Sequence, residues 1–146
     1  MRVKFAALAD AANVADGKLN LLGVFEMILA RKFPATHPMV ALAATIQLDP
    51  HEVGVQQFIK LVVADSHGQP TWTSPKPIEV LLELQDTTIA ITDENAPSIS
   101  LVVNIAGLKL PHEGQYRFRI LVNETIIHEV PLQASILPLP NEEDAK

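Results

Sequence analysis

A chain of 146 residues, 48% hydrophobic and 19% charged, is expected to form one domain around one core, because folding at this length buries roughly 70% of the open chain's surface. Cysteine is absent, which excludes a disulfide framework and a thiolate metal site. The net charge of −6 repels phosphates, and Arg31-Lys32 is the one adjacent basic pair, so nucleic acid is not an expected partner.

Near the start, Arg2 and Lys4 precede the apolar run Phe5-Ala6-Ala7-Leu8-Ala9, which Asp10 ends. That run is shorter than the ~7 to 15 residues of a secretory signal core or the ~20 of a membrane span. No export signal and no membrane association are expected, and the lack of cysteine suits a cytoplasmic location.

Leu8 to Val14 and Lys18 to Phe25 read as two strands of one hairpin turning at Asp16-Gly17, a pair suited to a type I′ turn. This register sets Leu8 opposite Phe25, Asp10 opposite Gly23, Ala12 opposite Leu21, Asn13 opposite Asn20 and Val14 opposite Leu19. A helix over the Ala-rich segment Phe5 to Ala15 competes with it. The strand is preferred because Lys18 to Leu29 has strand-type residues at strand spacing and needs a partner.

Met39 to Leu48, Gln56 to Ala64, Pro77 to Leu84 and Ile99 to Ile105 are further strand-like runs. Turns are marked by Pro34 and Pro38, by Asp49-Pro50-His51-Glu52, by Asp65-Ser66-His67-Gly68 and by Pro111-His112-Glu113-Gly114. Gln69 to Lys76 and Thr87 to Ser98 are longer connections.

Gln115 to Val122 alternates cleanly, with Tyr116, Phe118, Ile120 and Val122 on one face and Gln115, Arg117 and Arg119 on the other. The following run, Ile126 to Leu132, fits a hairpin with a three-residue loop, Asn123 to Thr125. That loop pairs Val122 with Ile126, Ile120 with His128, Arg119 with Glu129, Phe118 with Val130 and Tyr116 with Leu132. A two-residue loop would set Phe118 against Glu129.

These elements predict an all-β fold, a two-sheet antiparallel Greek-key (immunoglobulin-like) sandwich of about eight strands over residues 1–135. An acidic tail over 136–146 is expected to be disordered.

The N-terminal motifs Leu8-Ala9-Asp10, Ala12-Asn13-Val14 and Gly17 to Phe25, the pairs Phe33-Pro34 and His37-Pro38, and the later Gly107 to Pro111 and Gly114 to Phe118 together resemble an uncharacterised bacterial family. Its members are short single-domain proteins, and the likeness runs from Arg2 to about Leu132. The last hairpin of that family often turns at Asp-Gly, where this chain has Asn123-Glu124. The resemblance implies a β-sandwich in a bacterial cytoplasm and supplies no active residues.

Four residues stand out as candidates for binding. Asp10 is a carboxylate in an apolar strand, expected to be buried and to need donors, either to hold the fold or to orient a ligand. Asn13 and Asn20 form a cross-strand amide pair that sets register or binds. Trp72, between Pro70 and Pro75, either displays an indole for contact or plugs one end of the sandwich.

Weaker patterns are read as structural. Asp93-Glu94-Asn95 offers oxygen atoms without the spacing of a calcium loop. His37, His51, His67, His112 and His128 lack zinc-motif spacing, so a metal would need distant loops to meet, and no metal or cofactor is expected. Asp65-Ser66-His67 holds three triad residue types, but sequence neighbours on a turn rarely face one another.

The expected function is therefore a non-enzymatic binding or assembly module, with a second copy of itself or another protein as partner. The high apolar content favours a homo-oligomer. The alternative is a sandwich that holds a small apolar or saccharide ligand, and a loop-built hydrolase is the remote third.

Overall fold

The computed structural model describes residues 1–83 and 90–138 and contains ten strands and one 3-10 turn among them. In chain order these are β1 (Arg2–Ala15), β2 (Lys18–Phe25), β3 (Met27–Ala30), β4 (Ala35–Gln47), the 3-10 turn Pro50–Glu52, β5 (Gln57–Ala64), β6 (Pro70–Thr73), β7 (Ile78–Val80), β8 (Ser98–Leu110), β9 (Gly114–Val122) and β10 (Thr125–Ile136).

One sheet has the order β2-β1-β4-β8. In the other, the order is β3-β10-β9-β5, and the free side of β5 is shared by β6 and β7. The two inner faces close on one core. Leu8, Val40, Leu42, Ile46 and Ile105 come from the first sheet, and Ile59, Leu61, Val63, Tyr116, Phe118, Ile120 and Leu132 from the second. Each such side chain, removed from water, contributes about 1.5–3 kcal/mol of transfer free energy. The fold is thus the expected all-β sandwich.

The amino-terminal segment is the expected strand, not a helix. Asp16 and Gly17 both have positive φ, 52° and 69°, as a type I′ turn requires, and Leu8 pairs with Phe25, Asn13 with Asn20 and Val14 with Leu19. The continuous strand expected from Lys18 to Leu29 is broken at Glu26. β2 stays in the first sheet, while β3 crosses to the second and lies parallel to β10, the one parallel pair among the described strands. At the crossover the Gln133 amide donates to the Glu26 carbonyl at 2.9 Å.

Further differences have local causes. Pro38, expected to mark a turn, sits inside β4, where Met39 pairs with Ala106 and His37 with Leu108. Opposite it, Gly107 takes φ +63°, and beyond this point the buried positions of β8 shift from Ile105 to Leu108 and Leu110. The connection expected from Gln69 to Lys76 contains β6, with Trp72 opposite Val63. The strand expected over Pro77 to Leu84 is only Ile78–Val80, and Leu84 lies outside the described residues. Residues 87–89 of the second long connection are outside them too.

The last hairpin has both the expected register and a different loop. Phe118 faces Val130, Tyr116 faces Leu132, Arg119 faces Glu129 and His128 faces Ile120. Yet the loop has two residues, Asn123 and Glu124 at φ 48° and 70°, with Thr125 opposite Val122. A bulge between Ile126 and His128 restores the phase by adding one residue to β10. β10 then continues to Ile136 beside β3, and residues 139–146 of the expected tail lie outside the described residues.

Candidate functional site

Beyond Ala9, β1 has no pairing to β4, so residues 10–23 project as a two-stranded arm. Val14 and Leu22 on it are exposed. Asn13 and Asn20 face each other as expected, but their amides do not bond to one another; Asn20 Nδ2 donates to the Lys18 carbonyl at 3.3 Å. A shallow depression runs along the arm between Ala11, Asn13, Asn20 and Leu22.

Asp10 is exposed, contrary to the expectation of a buried carboxylate. It lies at the root of the arm against Gly23, where no Cβ intrudes and where φ is +71°. It shares a face with the core residue Leu8, but β1 has left β4 by this point, so the inward side of the arm is open to water.

That outward face is the larger feature. Between Phe5 and Met39 the outward positions of β1, β4 and β8 are alanine, threonine, serine, valine and asparagine, and none is charged. Ala9, Ala41 and Ala43 form its floor. Above them stand Val24, 60% exposed, and Phe5, 46% exposed. The outward face of the other sheet carries Lys60, Arg117, Arg119 and Glu129, with Glu129 Oε2 3.5 Å from Arg119 Nε.

Trp72 is half-buried and packs against the core, so it covers an edge of the sandwich rather than presenting a free indole. In the Asp93-Glu94-Asn95 loop, Asn95 Oδ1 accepts from the Thr92 amide at 2.6 Å and Nδ2 donates to the Ala90 carbonyl at 3.0 Å. That side chain is spent on closing its own turn.

The histidines separate into different settings. His37 rests on the Phe25 ring, and His128 borders a groove between β1, β2 and β10. His51 adjoins Asp49 and Glu52, whose carboxylates bind the Met1 ammonium at 3.0 and 2.6 Å. His67 and His112 meet, which sequence spacing had not suggested. β5 and β9 are antiparallel neighbours, so the turn leaving β5 and the turn entering β9 lie at the same end of the sheet.

In this cluster Asp65 Oδ1 accepts from the His67 and Gln69 amides, both at 2.9 Å, while Oδ2 lies 3.3 Å from His112 Nε2. The Gln69 amide above all holds the Asp65 carboxyl below its ordinary range, with the His67 amide and His112 adding to it against the cost of burial. Tyr116 braces His112 from below. Its hydroxyl donates to the His112 carbonyl at 2.6 Å and accepts from the His112 amide at 3.2 Å, and the two rings stack. Burial pushes the Tyr116 phenol up, and the Asp65 charge adds to this, while the bond to His112 opposes it. Ser66 bonds to neither imidazole, so the Asp65-Ser66-His67 sequence does not assemble a nucleophile with its base.

An all-β sandwich with one charged and one uncharged outer face, a projecting arm and a His–Asp cluster at one end is the class of protein these features define. Over residues 4–135 the chain matches DUF6941, a family of unknown function, and it belongs to that family. No curated protein matches the chain. Among the described residues, no helix is long and apolar enough to cross a membrane.

Proposed function

We propose that the protein is a non-catalytic assembly module that pairs with a second copy through the outward face of the β2-β1-β4-β8 sheet. The observation that carries this reading is the asymmetry between the two outer faces. One alternates charged residues with the core as a solvated sheet does, whereas the other is uncharged from Phe5 to Met39.

Self-association suits this chemistry. A two-fold interface sets each patch on its own copy, which brings like charges together wherever a patch is charged. This patch has none, although the chain as a whole carries −6. The arm supports the same reading, because a two-stranded hairpin with little packing beneath it is marginal in water by itself. A reducing bacterial cytoplasm suits a chain without cysteine.

Light scattering of the purified protein at micromolar concentration tests the proposal. A dimer or larger species is expected, and Val24→Glu with Met39→Glu should convert it to a monomer with an unchanged circular-dichroism spectrum. A wild-type monomer, or an oligomer indifferent to both substitutions, refutes it.

A further inference from the structure

We propose that Asp65, His67 and His112 form a mononuclear site for a divalent first-row transition metal such as zinc. One ligand atom from each of the three lies within 4.8 Å of the others. Two ligands of a tetrahedral zinc, each about 2.0–2.1 Å from the ion, are roughly 3.3 Å apart. Asp65 Oδ2 and His112 Nε2 have that separation.

The hydrogen bonds around the cluster leave the right atoms free. Asp65 Oδ1 is occupied by two backbone amides, so Oδ2 is the oxygen turned toward the histidines. His112 is the more telling residue. Its Nδ1 lies 3.2 Å from the Glu113 carbonyl and its Nε2 lies 3.3 Å from the Asp65 carboxylate, so both ring nitrogens face oxygen acceptors.

A neutral imidazole carries one proton and satisfies only one of them. When Nδ1–H donates to the Glu113 carbonyl, the Nε2 lone pair faces Oδ2, and a metal ion between them satisfies both atoms as a second ring proton would. A histidine that donates one N–H to a carbonyl while its other nitrogen binds is the usual support of a metal ligand. Stacking on Tyr116, one hydrogen bond donated by its hydroxyl and one accepted by it hold that ring and its backbone in place.

The donor set selects the ion. Two imidazoles and one carboxylate suit zinc, cobalt, nickel or copper, not calcium or magnesium, which want oxygen. Three protein ligands leave a fourth position for water or an anion. The second triplet, Asp49, His51 and Glu52, differs because the Met1 ammonium already fills the place of a cation there.

The test uses the untagged full-length protein, zinc chloride as the sole probe, and metal analysis after dialysis, with cobalt absorption as a second readout. About one equivalent of zinc is expected, with affinity reduced about tenfold or more by His67→Ala and by His112→Ala, while His51→Ala has no effect. His67 is exposed, so its substitution leaves the fold intact and decides the matter even where His112→Ala unfolds the chain. Failure of the wild type to retain zinc, or equal retention by His67→Ala, overturns the proposal, as does loss of zinc in His51→Ala alone.

Discussion

Asp10 lies flat against the backbone of Gly23, so that a Cβ placed on Gly23 would stand 2.9 Å from the Asp10 Cγ. Gly23 also holds φ +71°, where L side chains are strained. Two separate penalties therefore meet at one position. Gly23→Ala should lower stability by about 1–3 kcal/mol, measured by urea unfolding. In an Asp10→Ala background the penalty should fall without vanishing, because the steric part is relieved and the dihedral part is not. An unchanged penalty in the double variant would show that the carboxylate is not the obstacle.

At the other hairpin, Asn123 serves both its turn and a neighbouring strand. It holds φ 48°, donates from Nδ2 to Gln57 Oε1 at 2.8 Å, and accepts at Oδ1 from the Phe58 amide at 3.1 Å. Asn123→Ala should cost about 1–3 kcal/mol. Asn123→Gly supplies the conformation without the hydrogen bonds and should recover part of that loss. Equal loss in both variants would assign the whole effect to the bonds with β5.

Tyr116 is fully buried and its hydroxyl meets both the amide and the carbonyl of His112. Tyr116→Phe leaves both groups without that partner and should destabilise by about 1–3 kcal/mol. Hydrogen exchange should show faster loss of the His112 amide proton, with little change along β10. Unaltered exchange at His112 would contradict this account.

The ammonium of Met1 and the carboxylate of Asp49 give a pH dependence with two limbs. Burial lowers the ammonium pKa, but the bonds and charges of Glu52 and Asp49 outweigh it and leave it raised. The bond from that ammonium holds Asp49 below its ordinary range, against a smaller cost of burial. The raised group stabilises fully below about pH 8 and loses this as pH climbs through its folded value. The lowered group stabilises above about pH 4 and loses this as pH falls through its folded value. The melting temperature should therefore decline on both sides of that window, and acetylating the amino terminus should remove the alkaline limb. An alkaline limb that survives acetylation would assign it to another group.

Legibility followed the contrast between wet and dry faces. β9 was readable because Arg117 and Arg119 alternate with Phe118 and Ile120, and its register with β10 followed from the same alternation. The bulge at Ile127 was not readable, since a shorter loop plus one extra residue yields the same phase as a longer loop. β6 was not readable because four residues are too few to display a period, and β3 read as the end of β2 because nothing local marks the break at Glu26. The exposure of Asp10 was not readable for a different reason: its inward face follows from the alternation with Leu8, but the point where β1 runs past the end of β4 does not. The meeting of His67 with His112 depends on β5 lying beside β9, a long-range pairing that no local pattern encodes.

The parallel pairing of β3 with β10 joins residue 27 to residue 133. Chain closure over such a span is slow, and it must wait until the last strand has left the ribosome. Until then β10 is missing, and a nascent chain has Met27 to Ala30 without the strand it pairs with. The crossover at Glu26 is thus completed only once residues 27 and 133 are both present.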